Sequence, residues 1–167
     1  MGSVTSEVDP MVLFDRWFDR AISQLEKMEN GDGGTAGMMI VLPLFERYVD
    51  ILEENDPSGR KRYEILASEL QLKTPLEAEK FWTTLRHGFC HVGMPLKRGR
   101  RLKTLPKVYF AAQYSHLPEF QTAPNGEERL CLDPWKFIHY VMSIYRRDPV
   151  LLIRHPDAPL LGIHIFT

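Results

Sequence analysis

Arg86, His87 and His91 are the side chains of this chain best suited to chemistry on a phosphodiester. Just beyond them lies a cationic run, Lys97, Arg98, Arg100, Arg101 and Lys103. A guanidinium fork can grip a phosphate and neutralise the charge that develops on it during transfer. An imidazole, with an unperturbed pKa of about 6.5, can take and return a proton at neutral pH. In RNA the attacking group can be the ribose 2′-hydroxyl, so this chemistry requires no metal and no other cofactor. The cationic run suits an RNA backbone. Tyr109, Phe110 and Tyr114 follow it and could stack on bases or fill the core of their own segment. The same residues would also suit a helix tip with solvated charges.

The elements that must position these groups are helical. Thr74-Pro75-Leu76-Glu77 has the form of a capping box with proline at the first helical position, and Leu76, Phe81, Leu85 and Phe89 continue an apolar stripe into the motif. Gly93-Met94-Pro95 ends it. Arg86 and His91 are five residues apart, and at about 100° per residue they diverge by about 140° on a straight helix. They share one space if the helix bends near Gly88, or if two copies meet about a two-fold axis and present both pairs to one groove.

Upstream, Asp9-Pro10 opens a first helix whose apolar stripe is Val12, Leu13, Trp17, Ala21, Leu25 and Met28, widened by Phe14, Phe18 and Ile22. Asn30-Gly31-Asp32-Gly33-Gly34 predicts a flexible connection. A second helix is expected from about Thr35 to Glu54, kinked or broken at Pro43. A shorter one falls within 60–73. Residues 96–132 change character: Val108-Tyr109-Phe110, an Asn125-Gly126 turn and Leu130-Cys131-Leu132 predict a strand pair or an extended excursion. Asp133-Pro134 opens a last long helix ending at Arg146-Arg147-Asp148-Pro149, and the apolar runs at 150–153 and 160–163 could be strands or a packing tail. The expectation is one domain over 1–167: a mainly α bundle of four to five helices, with a flexible stretch at 1–8 and a small β-containing insertion at about 96–132.

Composition narrows the partners. With a formal net charge of −1, nucleic-acid binding would have to come from local clustering of cations. Two cysteines far apart, Cys90 and Cys131, make no disulfide framework, and a reducing cytoplasm is the default. The longest apolar run, 36–45, is too short to span a bilayer. Gly2 and Ser6 fit the loose N-myristoylation pattern, although Met-Gly-Ser also reads as a cloning remnant.

Arg86-His87-Gly88-Phe89-Cys90-His91 resembles the R-x4–6-H motif of HEPN domains, with the polar residue usual after the arginine supplied by His87. The setting, late in a well-capped helix between apolar helices, is similar over roughly 9–147. The resemblance implies a metal-independent endoribonuclease, a hydrolase-type activity with Arg86 and His91 as the catalytic pair, His87 orienting them or the phosphate, and a composite site across a homodimer. It further implies service in toxin–antitoxin or anti-phage defence, with an antitoxin or other protein as partner. Some members carry a modifiable tyrosine two residues after the histidine; Gly93 stands there in this chain. A non-catalytic HEPN-like module that binds RNA or a protein is the alternative. Two others rest on local spacing. His87 and His91 at i, i+4 beside Cys90 could ligate zinc, but no third ligand has motif spacing. Cys90 could act as a nucleophile beside His91, but neighbours on a helix point about 100° apart.

Overall fold

The computed structural model describes residues 9–29, 32–96 and 101–154. Three helix starts follow from local chemistry. Asp9 Oδ1 accepts from the Met11 N–H at 2.9 Å. Asp133 Oδ1 accepts from Trp135 at 2.9 Å and Lys136 at 3.2 Å. Thr74 Oγ1 accepts from Glu77 at 3.2 Å. Each cap precedes a proline, whose missing N–H is no loss in a first turn. The Glu77 carboxylate reaches the Lys73 N–H at 2.8 Å, one residue before the one a capping box would predict.

The first rod consists of α1 (Pro10–Phe14), a π-helical turn (Asp15–Asp19) and α2 (Arg20–Leu25). The wide turn rotates the buried face. Phe14 and Ile22 enter the core, whereas Val12, Trp17 and Met28 of the expected stripe are exposed. Then α3 (Gly33–Glu54) begins earlier than expected and runs unbroken through Pro43. Pro43 lies on the exposed side, where water can serve the carbonyl that lacks its donor. Gly33 is there for close approach, since a Cβ would fall 2.0 Å from the Leu25 carbonyl oxygen. After α4 (Arg62–Glu69) come α5 (Pro75–Phe81), a second π-helical turn (Trp82–His87) and α6 (Gly88–Val92) in direct succession.

The excursion holds three strands: β1 (Lys107–Phe110), β2 (Glu119–Thr122) and β3 (Glu128–Leu132). They form one mixed sheet in the order β1-β3-β2, parallel between β1 and β3 and antiparallel between β2 and β3. This is one strand more than a strand pair. In β2 only Phe120 is apolar, so no hydrophobic run marks it. Gly126, at φ 81°, makes the turn into β3. Alternation sends Leu130 and Leu132 into the helical core, with Val108, Phe110 and Phe120 beside them. Lys80 ties the sheet to α5 through both oxygens of Glu128, at 2.7 and 2.8 Å.

Finally α7 (Pro134–Arg147) packs along α3. Phe45 meets Phe137 edge-on at 5.5 Å, and Tyr145 stacks on Phe14 at 5.8 Å. The buried Tyr145 hydroxyl donates to the Leu44 carbonyl at 2.6 Å. The run at 150–153 yields a 3-10 turn (Pro149–Leu152), not a strand; Leu151 and Leu152 are buried, and Arg47 Nη1 donates to the Leu152 carbonyl at 2.8 Å. The expectations for 1–8 and 160–163 lie outside the described residues. Among the described residues, no helix is long and apolar enough to cross a membrane.

Candidate functional site

Arg86 and His87 close the second π-helical turn, and His91 lies in α6, directly after it. The backbone between Arg86 and His91 is mostly the regular winding of α6, so the long arginine side chain spans the five-residue spacing. Arg86 Nη1 lies 3.0 Å from His91 Nε2. The two groups therefore meet within one chain, without the bend at Gly88.

Gly88 has another task. Its own backbone is helical, at φ −60° and ψ −62°. After Gly93, at a left-handed φ of 74°, the chain doubles back across the helix, and the Leu96 N–H donates to the Thr84 carbonyl at 3.0 Å. A Cβ on Gly88 would lie 2.6 Å from the Met94 oxygen and 2.8 Å from the Leu96 nitrogen. Gly88 is thus the flat place over which the return strand passes and braces the π-helical turn. The Thr84 side chain points into the core, its hydroxyl buried with no hydrogen-bond partner among the described residues.

A guanidinium only donates, so in this contact His91 Nε2 is the acceptor and a ring proton sits on Nδ1. The His91 ring stacks on His87 at 5.7 Å and 18° and is exposed to solvent. Burial pushes His87 below the usual histidine range, and the Arg86 cation and His91 push it the same way; Glu46 opposes them. His87 is accordingly neutral at neutral pH. Burial pushes the Cys90 thiol up, which keeps it protonated and a poor nucleophile. Among the described residues, no three of His, Cys, Asp or Glu are grouped to hold a metal ion.

Two further residues belong to the site. Glu46 of α3 accepts from Arg86 Nε at 2.8 Å and from Nη2 at 2.5 Å, both on Oε2. Its Oε1 faces Arg62 Nη1 at 3.5 Å. Arg62 also donates to Asp50 through Nη2, and its Nε lies 3.7 Å from Glu53 Oε2. Two guanidiniums therefore sit among three carboxylates. Sequence reading missed Glu46, which lies 40 residues from Arg86, and left Arg62 without a role. The one legible trace was the run Glu46, Asp50, Glu53 at i, i+4, i+7 on one helix face.

Of the expected RNA-binding cations, Arg101 pairs with Glu79 of α5 at 3.7 Å and is 83% exposed, and Lys103 is exposed. Lys97, Arg98 and Arg100 lie outside the described residues. The aromatics nearby are engaged: Arg129 covers the Tyr109 ring at 4.8 Å, and Phe110 stacks on Phe89 at 6.2 Å. In comparisons with protein-family models, curated proteins and solved structures, nothing matches this chain.

Proposed function

We propose that this chain is a HEPN-like endoribonuclease that cleaves RNA by 2′-hydroxyl attack, with its working site completed across a homodimer and with toxin–antitoxin or anti-phage defence as its setting. The observation that supports the reading is the 3.0 Å contact between Arg86 Nη1 and the exposed His91 ring. A cation and an imidazole held together at a surface are the two parts this reaction needs. When a phosphodiester enters, Arg86 Nη1 turns to a non-bridging oxygen and frees the Nε2 lone pair of His91. That nitrogen takes the proton of the 2′-hydroxyl, the 2′-oxygen bonds to phosphorus, and the bond from phosphorus to the 5′-oxygen breaks. The leaving 5′-oxygen takes its proton from the imidazolium of the second copy's pair. The products are a 2′,3′-cyclic phosphate and a 5′-hydroxyl. His87, neutral and stacked beneath His91, fixes the ring plane.

The test is cleavage of single-stranded or looped RNA by the purified protein in the presence of chelator, with end-group analysis for the cyclic phosphate. Arg86→Ala and His91→Ala should each lower the rate by about a hundredfold or more. No cleavage by the wild type, or undiminished cleavage by both variants, sinks the proposal. The hold of Glu46 on Arg86 favours a second reading, a non-catalytic RNA-binding or protein-interaction module. In that case binding survives His91→Ala.

A further inference from the structure

We infer that Arg62 and Arg86 form a seat for one phosphodiester, and that Glu46 fills this seat as an internal stand-in until a single-stranded nucleic acid displaces it. The inference deepens the phosphodiester-handling reading above and rests on it. The two oxygens of Glu46 are divided between the two arginines: Oε2 takes Arg86 Nε and Nη2, and Oε1 faces Arg62 Nη1. A phosphodiester offers the same pattern, one negative charge shared by two non-bridging oxygens. Arginine forks read that pattern through two parallel N–H groups.

Arg62 is held from behind. Asp50 takes its Nη2, Glu53 Oε2 faces its Nε, and Glu53 Oε1 accepts its backbone N–H at 3.2 Å. Those edges are committed, and Nη1 is the donor turned toward Glu46. At 3.5 Å that pairing is an ion pair and not a hydrogen bond. The non-bridging oxygens of a phosphate stand further apart than those of a carboxylate, so a phosphodiester would reach both forks at once. Solvent reaches all three groups, with side-chain exposures of 36% for Arg62, 19% for Arg86 and 22% for Glu46. Half-buried Tyr63, the next residue after Arg62, packs against the core within electrostatic reach of Glu79 and Arg101, a further cation that pairs with Glu79 at 3.7 Å. With Glu46 in place the cluster is net negative and repels a polyanion. Removing that one charge opens the seat.

The experiment is fluorescence anisotropy with a labelled 2′-O-methyl single-stranded oligonucleotide, which the proposed reaction cannot cut, on the full chain as wild type, E46Q, R62Q and E46Q/R62Q. Far-UV circular dichroism confirms folding. E46Q should bind about tenfold tighter or more, the scale of removing one like charge beside a bound anion. R62Q should bind more weakly, and adding it to E46Q should lower the slope of log K against log salt by about 0.7. A folded E46Q that binds as weakly as wild type overturns the seat and leaves Glu46 a plain support for Arg86. If E46Q does not fold, R62Q alone decides, and an unchanged affinity and salt slope overturn the seat. Tighter binding by E46Q with no RNA cleaved by wild type leaves the seat standing and sinks the nuclease. Cleavage with unaltered E46Q binding does the reverse, and no binding by any variant overturns the seat, while the cleavage assay alone judges the nuclease.

Discussion

The lowered pKa of His87 gives the site a pH dependence whose sign can be worked out. Burial, with the Arg86 cation and His91 behind it, lowers the folded-state pKa of His87. The unfolded chain therefore takes the proton first as pH falls. Stability that depends on neutral His87 is complete above the unfolded value of about 6.5 and is lost as pH falls from there through the lowered folded value. His87→Gln removes this dependence. Urea unfolding of both proteins should show the stability of wild type relative to the variant declining between pH 7.5 and pH 5; a constant difference contradicts the assignment. The site was half legible at this scale. Arg86, His87 and His91 are neighbours in sequence, so a short motif exposes them. Glu46 and Arg62 join them only by helix packing, and a single glutamate or arginine on a polar helix face carries no mark of its partner.

The helix containing the motif depends on a crossing of backbone over Gly88. Gly88→Ala would place a methyl against the Met94 oxygen and the Leu96 nitrogen, backbone atoms that cannot rotate away. Gly88→Ala should cost about 1–3 kcal/mol, measured by thermal or urea unfolding. It should also reduce RNA cleavage, because the Leu96 hydrogen bond to the Thr84 carbonyl braces the turn that carries Arg86. Gly37→Ala serves as the comparison. There the new methyl meets Cδ1 of Ile138, the movable end of a side chain, and the penalty should be smaller. Helix starts were readable because a cap is a contact between residues two or three apart, as at Asp9, Thr74 and Asp133. Neither π-helical turn was, because apolar periodicity assumes one winding throughout. That is why Trp17 was assigned to the core and stands 37% exposed. The strand β2 escaped notice for want of a second apolar residue.

A single core unites the helices and the sheet, with Leu130 and Leu132 of β3 among the residues that also include Phe45, Phe81 and Phe137. The three-stranded sheet is therefore a wall of the domain and not an appendage. Leu130→Ala should cost about 2–5 kcal/mol. It should lower a single transition followed equally by near-UV and far-UV circular dichroism; a separate, earlier melting of the sheet would contradict one shared core. The helical bundle was legible in outline because apolar stripes and turn signals are dense along this chain, whereas the parallel pairing of β1 with β3 depends on a long-range register that no local signal encodes. The wide turn at Trp82–His87 also governs how this helix tolerates insertions and deletions. Such a turn contains one residue more than an α-helical turn between the same ends. Deleting Thr83 would let α5 run into Gly88–Val92 with regular winding and leave both ends where they are, and Arg86 and His91, both beyond the deletion, would keep their spacing. What the extra residue sets is the aim of Thr84 and Leu85, the buried side chains of that turn, so a deletion there would be felt in the core before it was felt at the pair.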